Sequence, residues 1–307
     1  MAVDVALRAL PGRLAARPRV GAVLGALTIA FSSILVRLAD VEPSTAAIFR
    51  CGYALPVLGA LAWWEDRRLG PRPWRERRAA LIAGLFFTAD LICWHHAIGD
   101  VGAGLATVLA NLQVALVPLV AWAVLREHPG ARVLAALPLM LLGVVLISGA
   151  LEAGAYGAHP VRGVLFGALT GLSYAGFILV LRQNSGDLRR PAGPLFDATA
   201  VTTVTAIVVG AALGEADLVP SWPAHGWLVT LALTSQVLGW LLISSSLPRL
   251  PAAITSVLLT IQPVGSMVLG AVLLSESPSA LQLLGVVAIL AGLVAVARTR
   301  RVEGEPG

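Results

Sequence analysis

The sequence predicts an all-α integral membrane protein with ten transmembrane helices arranged as two inverted five-helix repeats. Three observations predict it. First, 57% of the residues are hydrophobic, only 13% are charged, and the mean hydropathy is +0.84. Soluble domains carry about 25% charged residues, so a chain this poor in charge cannot cover a water-facing surface. Second, the charges cluster between apolar runs close to the ~20 residues that a membrane helix needs. Third, the chain repeats itself. Ala103–Pro129 and Ala252–Pro278 share Ala103/Ala252, Val108/Val257, Leu109/Leu258, Gln113/Gln262, Leu125/Leu274, Glu127/Glu276 and Pro129/Pro278, each pair 149 positions apart. The register continues to Gly143/Gly292. Five spans per half is an odd number, so the second half must enter the membrane in the opposite direction.

The elements follow in order. Residues 1–19 carry Arg8, Arg13, Arg17 and Arg19 and form a basic cytoplasmic tail. The run from Val20 to Leu38 is longer than a signal-peptide core and no small-x-small cleavage site follows it, so it reads as the first span. The ten spans lie near 20–38, 46–64, 79–98, 103–124, 131–150, 162–181, 196–214, 226–247, 252–274 and 280–298. Residues 20–150 form the first repeat, 151–161 a short polar linker, 162–298 the second repeat and 299–307 a cytoplasmic tail. Pro56, Pro118, Pro138 and Pro263 fall inside spans, where neighbouring helices can satisfy the freed backbone groups. Gly21-x-x-x-Gly25 and Gly163-x-x-x-Gly167 open the two halves, and such faces pack helices closely, within one chain or in a homodimer.

Arginine sets the orientation. The net charge of +5 contains no lysine contribution. With the N-terminus inside, all arginines except Arg37, Arg50 and Arg162 fall on the cytoplasmic side. Both termini are then cytoplasmic, in a multi-pass protein of the cell inner membrane. This membrane-face pattern is a better account of the charge than nucleic-acid binding. Trp63, Trp64, Trp122, Trp222 and Trp227 stand at span ends, as interfacial belts do. Cys51 and Cys93 lie in apolar segments and define no disulfide framework.

Ionisable groups near mid-membrane cost on the order of 3 kcal/mol on insertion scales, so each is a functional candidate. Asp90 lies halfway along the third span, with Trp94 four residues on and His95 beside it. It would serve as a proton or cation site, as an anchor for a substrate amine, or as an interior acid bonded to His95 or Asn111. Thr107 and Asn111 suit a cavity wall or interhelical glue on the fourth span. Arg50 offers a carboxylate clamp, or an ion pair with Asp40 or Glu42. The second half supplies Gln236, Trp240 and Thr260, with Thr255 and Ser256 nearby, and puts Gly239 at the register of Asp90. Glu127 and Glu276 sit at span ends, placed to cap the following helix or to seal a gate against loop arginines. No His-Glu-x-x-His, Gly-x-Ser-x-Gly or Walker A pattern occurs, and adjacent His95 and His96 are poor joint metal ligands. No enzyme, cofactor or metal is expected.

Ten spans, two five-span halves and the repeated Glu-x-Pro connection before a glycine-containing span resemble the drug/metabolite transporter superfamily, in particular its EamA-type members. The most specific stretch is Asp90-Leu-x-x-Trp94-His95 leading into Ala106-Thr-x-Leu-Ala-Asn111. Gln113-Val-Ala stands where a proline-containing sequence is usual, and Pro118 comes later. The resemblance implies a secondary active transporter, an exporter of amino acids, metabolites or drug-like amphiphiles. It would work by alternating access, with protons coupled through Asp90. The alternatives are an integral-membrane enzyme acting on lipids and a non-transporting membrane scaffold.

Overall fold

The computed structural model describes residues 18–184, 189–246, 250 and 252–297, with side chains described except at 181–184, 252–259 and 297. The basic tail through residue 17 and the C-terminal residues 298–307 lie outside the described residues, as do the Thr255 and Ser256 side chains. Among the described residues every regular element is helical. In chain order they are α1 (Pro18–Ala30), α2 (Ser32–Ala39), α3 (Pro43–Gly52), α4 (Leu55–Leu69), α5 (Trp74–Val101), α6 (Ala103–Ala110), α7 (Gln113–Leu125) and α8 (Ala131–Ile147). After the connection come α9 (Pro160–Asn184), α10 (Ala192–Leu213), α11 (Ala224–Leu231), a π-helical segment (Ala232–Gly239), α12 (Trp240–Ser246), α13 (Ala252–Leu274) and α14 (Ala280–Ala297). Among the described residues, seven continuous or nearly continuous helices are long and apolar enough to cross a membrane. Ala131–Ile147, Thr260–Leu274 and Ala280–Val296 are shorter apolar helices.

Several runs are interrupted where the chemistry demands it. Pro56, at the start of α4, cannot donate a backbone hydrogen bond, and the chain turns at Tyr53–Ala54 just before it. The α6/α7 break falls at Asn111–Leu112. The π-helical segment is the least common of these devices and often marks a functional region. It turns Ser235 and Gln236 inward, both fully buried.

Helices of one half pack chiefly on helices of the other. The pair α5 and α9 runs antiparallel from Asp100–Arg162 through His96–Phe166 to Phe86–Gly176. Helices α3–α4 run antiparallel to α10 over their whole length, from Ser44 near Gly210, through Gly52–Thr203 and Gly59–Phe196, to Glu65 at Ala192. Helices α8 and α14 do the same through Gly143–Gly285 and Met140–Gly292. Each of these last two pairs joins helices 149 positions apart in the sequence, and the partners run in opposite directions. That is the relation expected of inverted repeats.

The glycine motifs face helices of the same chain. A Cβ on Gly25 would meet Gly239 O at 3.2 Å, and one on Gly167 would meet the Leu109 side chain at 2.5 Å. Small residues here let backbones approach closely, which is how helices associate where lipid removes the hydrophobic drive.

One buried ion pair fastens the arginine-rich face. Arg72 precedes α5 and reaches Asp197 on α10, with Nη1 to Oδ2 at 2.7 Å and Nη2 to Oδ1 at 3.4 Å. Both side chains are almost fully buried, at 3% and 2% exposure. Removing Arg72 leaves the buried Asp197 with only the longer contact to the half-exposed Arg77, whose Nε lies 3.7 Å from Oδ2. Arg72→Met is therefore expected to destabilise the fold by about 3 kcal/mol or more, read as a lower melting temperature in detergent. Arg162→Met, which breaks the more exposed pair with Asp100, should lower it less.

Candidate functional site

Arg50, Asp90, Trp94, Gln236 and Trp240 converge where α3, α5, α9, α10, the π-helical segment and the start of α12 meet. Helix α3 carries Arg50 inward, 3% exposed. Its Nε donates to Gln236 Oε1 at 3.0 Å, and Gln236 Nε2 donates on to Thr199 Oγ1 at 3.1 Å. The guanidinium carbon lies 5.5 Å from the centre of the Trp94 ring, a cation–π distance. Helix α5 places Trp94 one turn from Asp90, on the same face. Asp90 is 6% exposed and lies within electrostatic reach of Arg50, Cys93 and Tyr174.

An aromatic wall closes one side. Trp240 lies 5.7 Å from both Phe87 and Phe177 and 6.0 Å from Tyr174, ring centre to ring centre. Phe87 stacks on Phe177 at 5.0 Å.

The polar groups here are incompletely satisfied. Arg50 Nη1 and Trp240 Nε1 are buried donors without a hydrogen-bond partner. Asp90 accepts no hydrogen bond from a described residue, yet its oxygens are not among the sealed buried atoms. A buried polar group left unpaired costs about 1–3 kcal/mol, and native proteins rarely keep several together without a use for them. A carboxylate, an unpaired guanidinium nitrogen and a wall of rings suit a ligand with separated charges and an apolar body.

The other candidates lie differently. His95 Nδ1 is bonded to Pro43 O at 3.0 Å and its Nε2 is buried without a partner, so it forms no hydrogen bond with Asp90. Thr107 Oγ1 donates to Ala103 O and Asn111 Nδ2 donates to Thr107 O, both at 2.8 Å, so both side chains bond their own helix. Asn111 Oδ1 is buried and unpaired beside the α6/α7 break. Thr260 is half-buried on α13. Arg50 does not pair with Asp40 or Glu42. Both acids are exposed in the α2–α3 turn, whereas Arg50 lies two turns further along α3 and faces the π-helical segment.

Thr199, Tyr174, Phe87 and Phe177 were not legible as site residues. Tyr174 carries a faint signal, since it continues the Gly163, Gly167, Gly171 face by one further turn. Asp197 was also missed, although an acid inside an apolar run is the same signal that marks Asp90. Among the described residues no group of three or more His, Cys, Asp or Glu side chains could hold a metal ion. Cys51 and Cys93 are free thiols.

The model of the EamA-like transporter family matches residues 19–149 and again residues 161–298. The chain belongs to the EamA-like transporter family. It is thus a membrane protein of the drug/metabolite transporter type. A solved crystal structure, described only as that of a protein, shares 21% sequence identity with a TM-score of 0.59. The match covers 94% of this chain and 98% of that one, and shows the shared fold. No curated protein matches the chain. In this EamA-like protein the site draws on both matched regions: Arg50, Asp90 and Trp94 come from the first, and Tyr174, Thr199, Gln236 and Trp240 from the second.

Proposed function

We propose that this EamA-like protein is a secondary active transporter, an exporter of small organic solutes such as amino acids, metabolites or drug-like amphiphiles. Ten helices cross the inner membrane as two inverted repeats, with both termini cytoplasmic. Substrate enters a central cavity between the halves and alternating access carries it across. Arg50 receives the anionic end of the solute through its free Nη1. Asp90 receives the cationic end or a coupling proton. Trp94, Tyr174 and Trp240 hold the apolar body. Thr107, Asn111, His95 and Thr260 line the approach.

One observation carries the reading: a carboxylate that no described residue hydrogen-bonds and an unpaired guanidinium nitrogen, both buried, share one aromatic-walled place between the halves. A solute screen by thermal shift on purified protein, run at two pH values, identifies what binds. Flux of the best hit into proteoliposomes is then compared between the wild type and Asp90→Asn. The expected result is that Asp90→Asn abolishes proton-gradient-driven accumulation while leaving solute exchange measurable. Accumulation unchanged by Asp90→Asn would remove the coupling role.

A further inference from the structure

Three carboxylates leave their own helix to hold the start of a helix from the other half. At the arginine-rich end of α4, Glu65 accepts the Ala192 and Gly193 N–H groups at 2.9 and 2.8 Å, at the start of α10. At the opposite end of α10, Glu215 Oε2 accepts the Ser44 hydroxyl at 2.6 Å, and Glu215 O accepts the Thr45 hydroxyl at 2.6 Å, at the start of α3. The α3–α4/α10 pair is thus clasped at both ends, and Arg72–Asp197 adds a third fastening. It behaves as a frame.

The α6/α13 pair is fastened differently. Glu276, just beyond α13, accepts the Ala103 N–H at 2.6 Å and the Gly104 N–H at 3.0 Å, at the first turn of α6. These are orphan donors at the positive end of a helix, which a carboxylate satisfies twice over. Glycines make the slot. A Cβ on Gly102, Gly104 or Gly270 would meet a Glu276 carboxylate oxygen at 2.7, 3.2 or 2.3 Å. Gly102 also takes φ +87°, which an L side chain rarely adopts. Tyr156, in the loop between α8 and α9, lies over Gly102. Burial first, and the Glu276 charge second, hold the Tyr156 hydroxyl above its ordinary range. Glu276 forms no ion pair with a described arginine, so what it holds is backbone alone.

The same 149-position register maps Glu276 to Glu127 and Ala103 to Ala252. Glu127 lies at the arginine-rich end of the pair and is exposed, whereas Glu276 is buried. We infer that Glu276 is a gate-positioning residue: its grip on the first turn of α6 closes the membrane face opposite the arginines, and letting go opens it. By the repeat, Glu127 does the same for the arginine-rich face, with the amides of Ala252 and Ala253 at the start of α13 as its partners. This inference rests on the transporter reading, because a gate has meaning only for a carrier.

The test uses full-length protein with Cys51→Ala and Cys93→Ala, and a reporter thiol at Leu105→Cys. Leu105 is fully buried, one residue past the clasped turn. A membrane-impermeant maleimide is applied from the face opposite the arginines, and flux is measured in parallel. Glu276→Ala is expected to raise the labelling rate about tenfold, roughly the loss of one charge-assisted hydrogen bond. Glu276→Gln, which keeps one acceptor oxygen, should give a smaller rise. Glu65→Ala, which loosens the frame at the other face, should leave this rate within about twofold of the parent. If Glu276→Ala does not fold, Gly270→Ala takes its place, because the added methyl would meet the Glu276 carboxylate at 2.3 Å and crowd it out of its slot. Labelling unchanged in these variants while flux persists overturns the gate. Labelling that rises in a protein carrying no solute at all upholds the clasp and removes the transporter reading instead.

Discussion

Arg50→Met is expected to abolish solute-dependent flux and, by leaving Gln236 without its donor, to destabilise the folded protein by about 2 kcal/mol. The guanidinium is 3% exposed, bonded to Gln236 and seated against Trp94, with Asp90 in electrostatic reach. Methionine fills much of the same volume but removes the one positive charge that the described residues set beside Asp90. The carboxylate is then buried without a countercharge, and Gln236 loses the donor that fixes its amide. The double variant Arg50→Met/Asp90→Asn should recover at least about 1 kcal/mol of the single variant's loss, because neighbouring charges are coupled. Unfolding in a denaturing detergent titration measures the cycle. Strictly additive losses would mean that the two charges do not act together.

The second large effect concerns how the halves are held. Gly143→Leu is expected to cost about 3 kcal/mol, the upper part of the range for overpacking. A Cβ on Gly143 would lie 2.7 Å from Gly285 O, and one on Gly285 would lie 2.6 Å from Gly143 O. Both obstacles are backbone, so no side chain can swing aside and the α8 and α14 helices must part. Gly99→Leu is the control, since nothing lies within 4 Å of a Cβ there. Melting temperatures of the two variants in the same detergent decide it. Equal shifts would contradict the close crossing.

The larger plan was legible because bilayer physics writes it coarsely. Apolar runs, arginine placement and the 149-position register are one-dimensional signals, and they led to helices, repeats and family. Helix ends were less legible. The third span begins at Trp74 rather than near residue 79, because Trp74-Arg-Glu-Arg-Arg continues as helix beyond the apolar run. Asp90, Trp94 and Arg50 could be singled out because charge and indole are conspicuous among alanine and leucine. Their partners could not. Gln236 Oε1 meets Arg50 across 186 positions, and no local pattern encodes that meeting. Glu276 was recognisable as a cap or a gate seal, but the expected partners were the following helix or loop arginines. The actual one is α6, 172 and 173 positions away, chosen by tertiary packing. Thr199 and Tyr174 look like ordinary residues of apolar helices until the halves are brought together.

The central claim is that Asp90 sits where water and solute can reach it from either side of the membrane in turn. Asp90→Cys, in protein with Cys51→Ala and Cys93→Ala, tests that claim directly. A small impermeant thiol reagent is applied to sealed vesicles from one side and then, in a separate sample, from the other. The account predicts modification from both sides, slowed in each case by the solute that the thermal-shift screen identifies. A thiol at position 90 that reacts from neither side, or from one side only whatever solute is present, would contradict it.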